Sequence, residues 1–289
     1  MEELLLLKTK PKKRPYNQRI TSPVDIAIDR ALDGVNNQQH DEGFWWYELE
    51  SDIAIACDYV MMMHYLGEID IPLQNKIANY IRKRQQKNGG WPLYHGGKAN
   101  ISNTVKAYYA LKLIGDDPEQ AHMLLARRAI LEKGGAAKSD AFTRIMLAKF
   151  GQVPWRAVPF IPVEIMLLPK WFPLHISKIS YWARTTMVPL LILYNFKATA
   201  KNPTGIGVQE LFETPPEKEK HYFPTKTTLS KLILILEKTA YKLRWLIPGF
   251  VNKMAIKKAE RWFIERLNGE SGIGAIFPAM RNAYEALLN

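Results

Sequence analysis

The chain is poor in cysteine, in acidic residues and in long apolar runs. Its 289 residues include one cysteine, Cys57. That excludes an intrachain disulfide framework and a cysteine-based zinc site, and with no secretory signal it points to a reducing compartment. The longest apolar stretch, around Met187 to Phe196, is about half of a membrane span, and Leu4 to Leu7 is too short for a signal-peptide core. No bilayer crossing is expected. The six histidines, His40, His64, His95, His122, His175 and His221, show no i, i+3 or i, i+4 pairing and no carboxylate cluster beside them, so no metal site is expected. Gly-x-Ser-x-Gly is absent, Cys57 has no recognisable partner, and Gly205-Ile206-Gly207 lacks the strand and helix that a dinucleotide loop needs. Hydrolase and dinucleotide chemistry therefore have no support, and no cofactor is expected.

What is present is the composition of a folded protein, 47% hydrophobic and 24% charged. Lysine and arginine number 40 against 28 acidic residues, a formal charge of +12. The excess is local. Residues 1–21 carry six basic and two acidic side chains, and residues 225–261 carry nine and two. The first patch, with Pro11 and Pro15 and no apolar period, reads as a flexible basic arm. Neither patch contains a nucleic-acid reading motif, so no nucleic acid is expected as partner.

From Pro23 onward the apolar period is helical, as in Val24, Ile28, Leu32, Val35 and in Leu73, Ile77, Tyr80, Ile81. Alternating strand patterns are scarce. Gln39-x3-Gly43-x-Trp45 recurs 46 residues later as Gln85-x3-Gly89-x-Trp91, each between two amphipathic segments. Asn268-x3-Gly272-x-Gly274 is a degenerate third copy. A period of this length with a helix on each side suits stacked helical hairpins, and the chain has room for about six. The expected fold is all-α, an α/α toroid or barrel. In each turn glycine can adopt the left-handed conformation, glutamine can satisfy orphan backbone groups at a helix end, and tryptophan can cover that contact. Five prolines between Pro154 and Pro173 forbid a long helix there, and the 203–224 segment reads as a surface loop.

Few side chains suggest chemistry. Asp116-Asp117-Pro118 sits where a helix ends and reads as a turn. Asp58 follows the apolar run Ile53 to Cys57 on a helix expected to line the inside of the toroid, where an aspartate is either a satisfied structural group or a site residue. In residues 229–248, Leu232, Leu236, Leu243 and Ile247 fall on one helical face and Lys231, Lys238 and Lys242 opposite. Such a helix is an ordinary surface helix or an interfacial one. Tyr241, Trp245 and Phe250 beside a basic patch suit an anionic membrane surface.

The turn motifs resemble the QW repeats of triterpene cyclases, specifically bacterial squalene-hopene cyclases. The resemblance is carried further by Gly43-Phe44-Trp45-Trp46, Phe142-Thr143-Arg144, Val158-Pro159 to Pro169 with Glu164-Ile165-Met166, and Tyr181-Trp182-Ala183-Arg184. Glu265-Arg266-Leu267-Asn268-Gly269-Glu270 followed by Gly274-Ala275-Ile276-Phe277-Pro278 completes it. The ordered matches run from about Asp25 to the C-terminus and correspond to the N-terminal half of such an enzyme.

The resemblance implies a monotopic isomerase of two α/α barrels on the cytoplasmic side of the cell membrane, part of hopanoid biosynthesis. It folds squalene into a pocket, protonates a terminal double bond, and closes rings through carbocations to hopene or hopanol. The acid of the family lies in an Asp-x-Asp-Asp motif of the other barrel, and this sequence has none. By resemblance Trp182 lines the cavity, Ile276, Phe277 and Pro278 lie near the end where the final cation is quenched, and Asp58 matches a carboxylate near that end. Lys106 stands where some members have Glu, Met146 where some have Trp, and Phe277 where some have Gln. Residues 225–250 map onto the membrane-facing region. The expected organisation is a flexible arm over 1–21 and an α/α barrel over 22–289. The expected partners are squalene, an anionic membrane surface, and a C-terminal cyclase half or a second copy. The alternative reading is a noncatalytic membrane-surface or lipid-binding remnant of such a cyclase.

Overall fold

A computed structural model describes residues 22–45, 52–173, 175–223, 239, 241, 244–269 and 272–288. The basic arm and Lys231, Leu232, Leu236, Lys238, Lys242 and Leu243 lie outside the described residues. The chain divides into two compact units, Met1–Glu50 and Ser51–Asn289.

In the first unit, helix α1 (Pro23–Asn37) begins at a capping box: the Ser22 hydroxyl and backbone pair with Asp25, and proline occupies the first turn. The stripe expected from the sequence forms, but none of its members is buried. Val24 is 65% exposed and Leu32 52%.

The second unit is built from helices with recognisable start and stop signals. Helix α2 (Ala54–Leu66) ends at Gly67 in the left-handed region, and α3 (Ile71–Lys83) starts where the Asp70 carboxylate accepts from the Leu73 N–H. A minimal antiparallel ribbon, β1 (Trp91–Pro92) on β2 (Ala99–Asn100), leads into α4 (Ile101–Ile114), capped by Asn100 and stopped at Gly115. Helix α5 (Ala121–Leu131) and α6 (Ala141–Lys149, capped by Asp140) follow. The proline-rich middle holds only short 3-10 turns at Trp155–Ala157, Val163–Leu167 and Ile176–Lys178, as the prolines require. Helix α7 (Tyr181–Phe196) is capped by Ser180 and carries Pro189 inside it. Helices α8 (Gly249–Ile264) and α9 (Phe277–Leu287) complete the unit. Among the described residues the fold is all-α apart from the ribbon of two two-residue strands.

Two apolar clusters organise this unit. One surrounds α4, which is buried along most of its length, and takes in Val60, Ile81, Trp91, Tyr109 and Leu147. The other joins α7, α8 and α9 through Val188, Leu193, Ala259, Phe263 and Ala283. Small residues on α8 and α9 let those helices approach α7 closely.

The loop expected over 203–224 is irregular, but its described part is anchored. Val208 and Leu211 are fully buried, the Tyr109 hydroxyl donates to the Ile206 carbonyl at 2.9 Å, and the Gln152 side chain accepts from the Val208 N–H at 2.7 Å.

Candidate functional site

The repeated turns do what their residue types suggest. Gly43 and Gly89 have φ of 90° and 83°. The Gln39 and Gln85 side-chain amides donate to the carbonyls of Gly43 and Gly89 at 2.7 and 2.9 Å. Gln85 also donates to the His122 carbonyl at 2.8 Å, tying its turn to the start of α5. Each tryptophan adds a bond that its position in the motif does not reveal: the Trp45 and Trp91 indole N–H groups donate to the Val35 and Ile81 carbonyls, both at 2.8 Å. The motif thus satisfies orphan carbonyls at the end of the preceding helix as well as its own. In the degenerate copy the Gly272 carbonyl is taken instead by the backbone N–H of Asn268 at 2.8 Å. At Gly89 a Cβ would stand 2.3 Å from the Leu125 carbonyl oxygen, so a side chain is forbidden there on two grounds.

Asp58 lies on α2 and is 6% exposed. Its Oδ2 accepts from Lys106 Nζ of α4 at 3.0 Å, and its Oδ1 lies 3.1 Å from Arg281 Nη1 of α9. Arg281 reaches on to Glu285, Nε to Oε1 at 3.5 Å, and Glu285 pairs with Lys149 of α6. Five charged side chains from four helices therefore share one interior region. Three are cations and two are carboxylates, so the cluster carries a formal +1.

Burial pushes the Asp58 carboxyl up, but Arg281 and Lys106 together outweigh it and hold the group below its ordinary value. The same partners, Asp58 and Glu285, hold the Arg281 guanidinium charged against the cost of burial. Lys149 is different. Burial dominates there, and despite Glu285 its ammonium is pushed down to about 8. Next to Asp58, burial drives the Cys57 thiol well up, keeping it protonated and inert.

This chemistry limits what Asp58 can do. A carboxylate held ionised by two cations is an acceptor only and has no proton to give. Protonating an isolated alkene requires a carboxylic acid kept neutral and aimed at the double bond. Asp58 is a charge-balanced anchor in this geometry.

The other sequence-derived positions sit around this region. Ile276 is the residue before α9, and Phe277 and Pro278 form its first turn, all three half-buried. The Phe277 ring lies 5.8 Å from that of Tyr59, the neighbour of Asp58. Phe277, Arg281 and Glu285 fall at i, i+4 and i+8, one stripe of α9 directed at α2 and α6. The turn before Ile276 meets α7: a Cβ on Gly274 would come 2.8 Å from the Thr185 hydroxyl oxygen. That hydroxyl in turn donates to the Trp182 carbonyl at 2.8 Å. Trp182 itself presents its ring outward, 63% exposed. The structure thus pairs Asp58 with Arg281, sets Phe277 against the neighbouring Tyr59, and places Trp182 on another helix. Arg281, Glu285 and Lys149 were not singled out from the sequence. The i, i+4, i+8 spacing of Phe277, Arg281 and Glu285 on a helix with alanines at 279, 283 and 286 was the available signal.

Asp116 fulfils a structural role. Its carboxylate takes Arg82 Nε at 2.9 Å and His122 Nε2 at 2.7 Å, joining the end of α3 to the start of α5. Arg144 of the Phe-Thr-Arg motif donates through Nε to the Ala157 carbonyl at 2.8 Å, which fixes the proline-rich segment onto α6.

Residues 28–289 match the family model described as squalene-hopene cyclase N-terminal domain. The chain is 47% identical over 278 residues to the squalene-hopene cyclase of Bradyrhizobium diazoefficiens, an alignment that covers 91% of this chain and 41% of that protein. Identity to the squalene-hopene cyclase of Zymomonas mobilis is 43%, covering 94% of this chain and 42% of that protein. For the squalene-hopene cyclase of Alicyclobacillus acidocaldarius it is 34%, covering 90% and 41%. The chain therefore spans about two fifths of the length of these relatives, and it belongs to the squalene-hopene cyclase N-terminal domain family.

Proposed function

We propose that this chain supplies the N-terminal part of a squalene-hopene cyclase: it forms one wall of the hydrocarbon pocket and the membrane-facing side, while the proton comes from a carboxylic acid elsewhere. The observation that carries this reading is the state of Asp58. The one carboxylate that the resemblance sets near the pocket is buried and clamped by Lys106 and Arg281, and the chain has no Asp-x-Asp-Asp motif. The repeated turns and the all-α unit are consistent with one α/α barrel of the two expected for the family.

In this arrangement Trp182 offers a π face to a passing carbocation, worth about 0.5–2 kcal/mol per favourable contact. Its exposed ring is free to meet such a substrate or a second barrel. Ile276, Phe277 and Pro278 form the apolar end wall. Phe277 replaces a hydrogen-bonding side chain of some members with a ring, which removes a group that could deliver water.

The reading of membrane attachment is supported by the described end of the 225–250 segment and the residues just after it. Trp245 is 80% exposed, Phe250 66%, Met254 57% and Leu246 56%, beside a strongly basic stretch. Ile247, from the expected apolar face, is half-buried. Among the described residues no helix is long and apolar enough to cross a membrane. A peripheral, cytoplasmic-side attachment to anionic lipid fits such a patch.

Replacing the corresponding N-terminal part of the Bradyrhizobium relative with this chain tests the reading. Conversion of squalene by the chimera supports it. A folded but inactive chimera favours a noncatalytic remnant.

A further inference from the structure

Ile276, Phe277 and Pro278, the end wall proposed above, are half-buried and stand at the start of α9. Little in the local sequence fixes that start. No side chain caps α9, unlike α3, α4, α6 and α7, where Asp70, Asn100, Asp140 and Ser180 accept from the first turn. The turn that leads into α9 is irregular: Gly272, Gly274 and Ala275 have φ of 58°, 67° and 51°. Ala275 sits in the left-handed region with a Cβ, a conformation that persists only where surrounding contacts over-determine it. The place of the wall is therefore set by tertiary contacts.

Burial of Ala279 and Ala283 in the cluster shared with α7 and α8 is non-directional. Arg281 supplies a directional contact. It stands four residues after Phe277, one turn along the same face, and a helical side chain leans back toward the start of its helix. Its guanidinium is buried, reaches Asp58 of α2 at 3.1 Å and lies 3.5 Å from Glu285. Tyr59, the next residue of α2, has its ring 5.8 Å from that of Phe277. One turn of α9 thus meets α2 twice, through a charged pair and through a pair of rings. The charged partners are themselves held: Asp58 takes Lys106 at 3.0 Å, and Glu285 is paired with Lys149. A ring contact is weak beside a buried charge pair, so the ion pair sets the geometry and the rings follow it.

We propose that Arg281 is a positioning residue of the cyclisation pocket: its pair with Asp58 fixes the first turn of α9 on α2, and so the place of Phe277 and the ring-closure step at which the cation is quenched. This rests on the reading of the chain as a pocket wall. With the wall displaced, a cation formed before the last ring meets bulk water. It then loses a proton to water, giving an alkene isomeric with squalene, or takes up water and releases a proton, giving an alcohol. Both products have fewer rings.

Two measurements test it. In the complete 289-residue chain, para-fluorophenylalanine at position 277 reports the surroundings of that ring by fluorine NMR. Tyr59→Leu gives the shift that marks loss of the ring contact. Arg281→Met is expected to move the resonance the same way and Arg281→Lys to return it at least halfway. Asp116→Asn, which breaks an ion pair between α3 and α5, is expected to leave it in place. Thermal melts identify any variant that fails to fold, and if Arg281→Met is one, Asp58→Asn, which weakens the same pair from α2, takes its place. In the chimera with the Bradyrhizobium relative, Arg281→Met is expected to lower the share of pentacyclic product by about threefold or more, in favour of products with fewer rings. Arg281→Lys is expected to be intermediate and Asp116→Asn to match the unsubstituted chimera. An unmoved resonance in a folded variant overturns the proposal, as does an active chimera whose product shares Arg281→Met leaves unaltered. An unsubstituted chimera without turnover counts instead against the cyclase reading, and the resonance still decides the placement of Phe277.

Discussion

Lys149 and Glu285, 136 positions apart in the chain, meet in the interior with 2% of each side chain exposed. The pair fastens α9 to α6, and through Arg281 and Asp58 the same network reaches α2 and α4. Removing Lys149 takes away the nearer of two cations on Glu285 and leaves Arg281 at 3.5 Å to balance it, so the cost is at most the value of about 3–5 kcal/mol typical of breaking a buried pair. Lys149→Met is therefore expected to destabilise the chain by up to about that amount in urea unfolding. Lys149→Met combined with Glu285→Leu, which removes both charges and keeps Arg281 on Asp58, is expected to recover most of the loss. A double variant no more stable than the single one would show that the pair is not the source of the effect.

The same lysine sets a pH dependence of unusual sign. Its ordinary value of 10.5 is lowered to about 8 in the folded chain. Glu285, Arg281, Asp58 and the Tyr65 ring face it. Between these two values the unfolded chain binds more protons than the folded one, so this group makes stability rise with pH from about 8 toward 10.5. Urea midpoints measured across that window in the unsubstituted chain and in Lys149→Met are expected to differ in slope, the former being the more positive.

Asp58 contributes in the opposite range. Its carboxyl is held below 3.8 in the folded chain, so its stabilising contribution is present above that value and is lost as pH falls through it toward the folded value. Asp58→Asn is expected to lower stability at neutral pH, because Lys106 and Arg281 lose their counter-charge, and to flatten the acid limb of the pH profile. Equal acid limbs in the two proteins would contradict the assignment of an ionised Asp58.

Two glycines, Gly89 of the second turn motif and Gly96 beyond it, separate two costs of a side chain. Gly96 has φ of 73° with nothing within 4 Å of a built Cβ, whereas Gly89 has φ of 83° and backbone in the way. Gly96→Ala is expected to cost about 1–2 kcal/mol from the left-handed conformation alone. Gly89→Ala is expected to cost distinctly more, since the Leu125 backbone must move. Thermal melts of the two variants check the order.

These turns show where the sequence was informative. Gln, Gly and Trp within seven residues act through local bonds, so their spacing carries their geometry. Helix starts at Ser22, Asp70, Asn100 and Asp140 are likewise made by local side-chain bonds. The charge cluster was not legible in this way. Asp58 and Lys106 attracted attention singly, but their meeting with Arg281, Glu285 and Lys149 depends on how four helices pack, and a charged side chain on a helix reads by default as solvent-facing. Helix α1 shows the reverse case: its apolar period predicts the helix correctly, yet that period alone does not say what covers the stripe.

The proposed attachment to lipid would have its own signature. Sedimentation with phosphatidylglycerol vesicles is expected to carry the chain down at low salt and to weaken as salt shortens the reach of the lysines, to about 8 Å at physiological ionic strength. Trp245→Ser with Phe250→Ser is expected to reduce binding at every salt concentration, since it removes apolar area rather than charge. Binding that is unaffected by this double variant would place the contact elsewhere.

The proposed function has this chain build pocket wall and membrane-facing surface, with the proton donor supplied from elsewhere. Squalene turnover to pentacyclic product, measured for the chain alone and after mixing with a second chain carrying the Asp-x-Asp-Asp half, tests it most directly. Product is expected in the mixture and not from the chain alone. Product from the chain alone, or none from the mixture under conditions in which an intact relative works, would contradict the account.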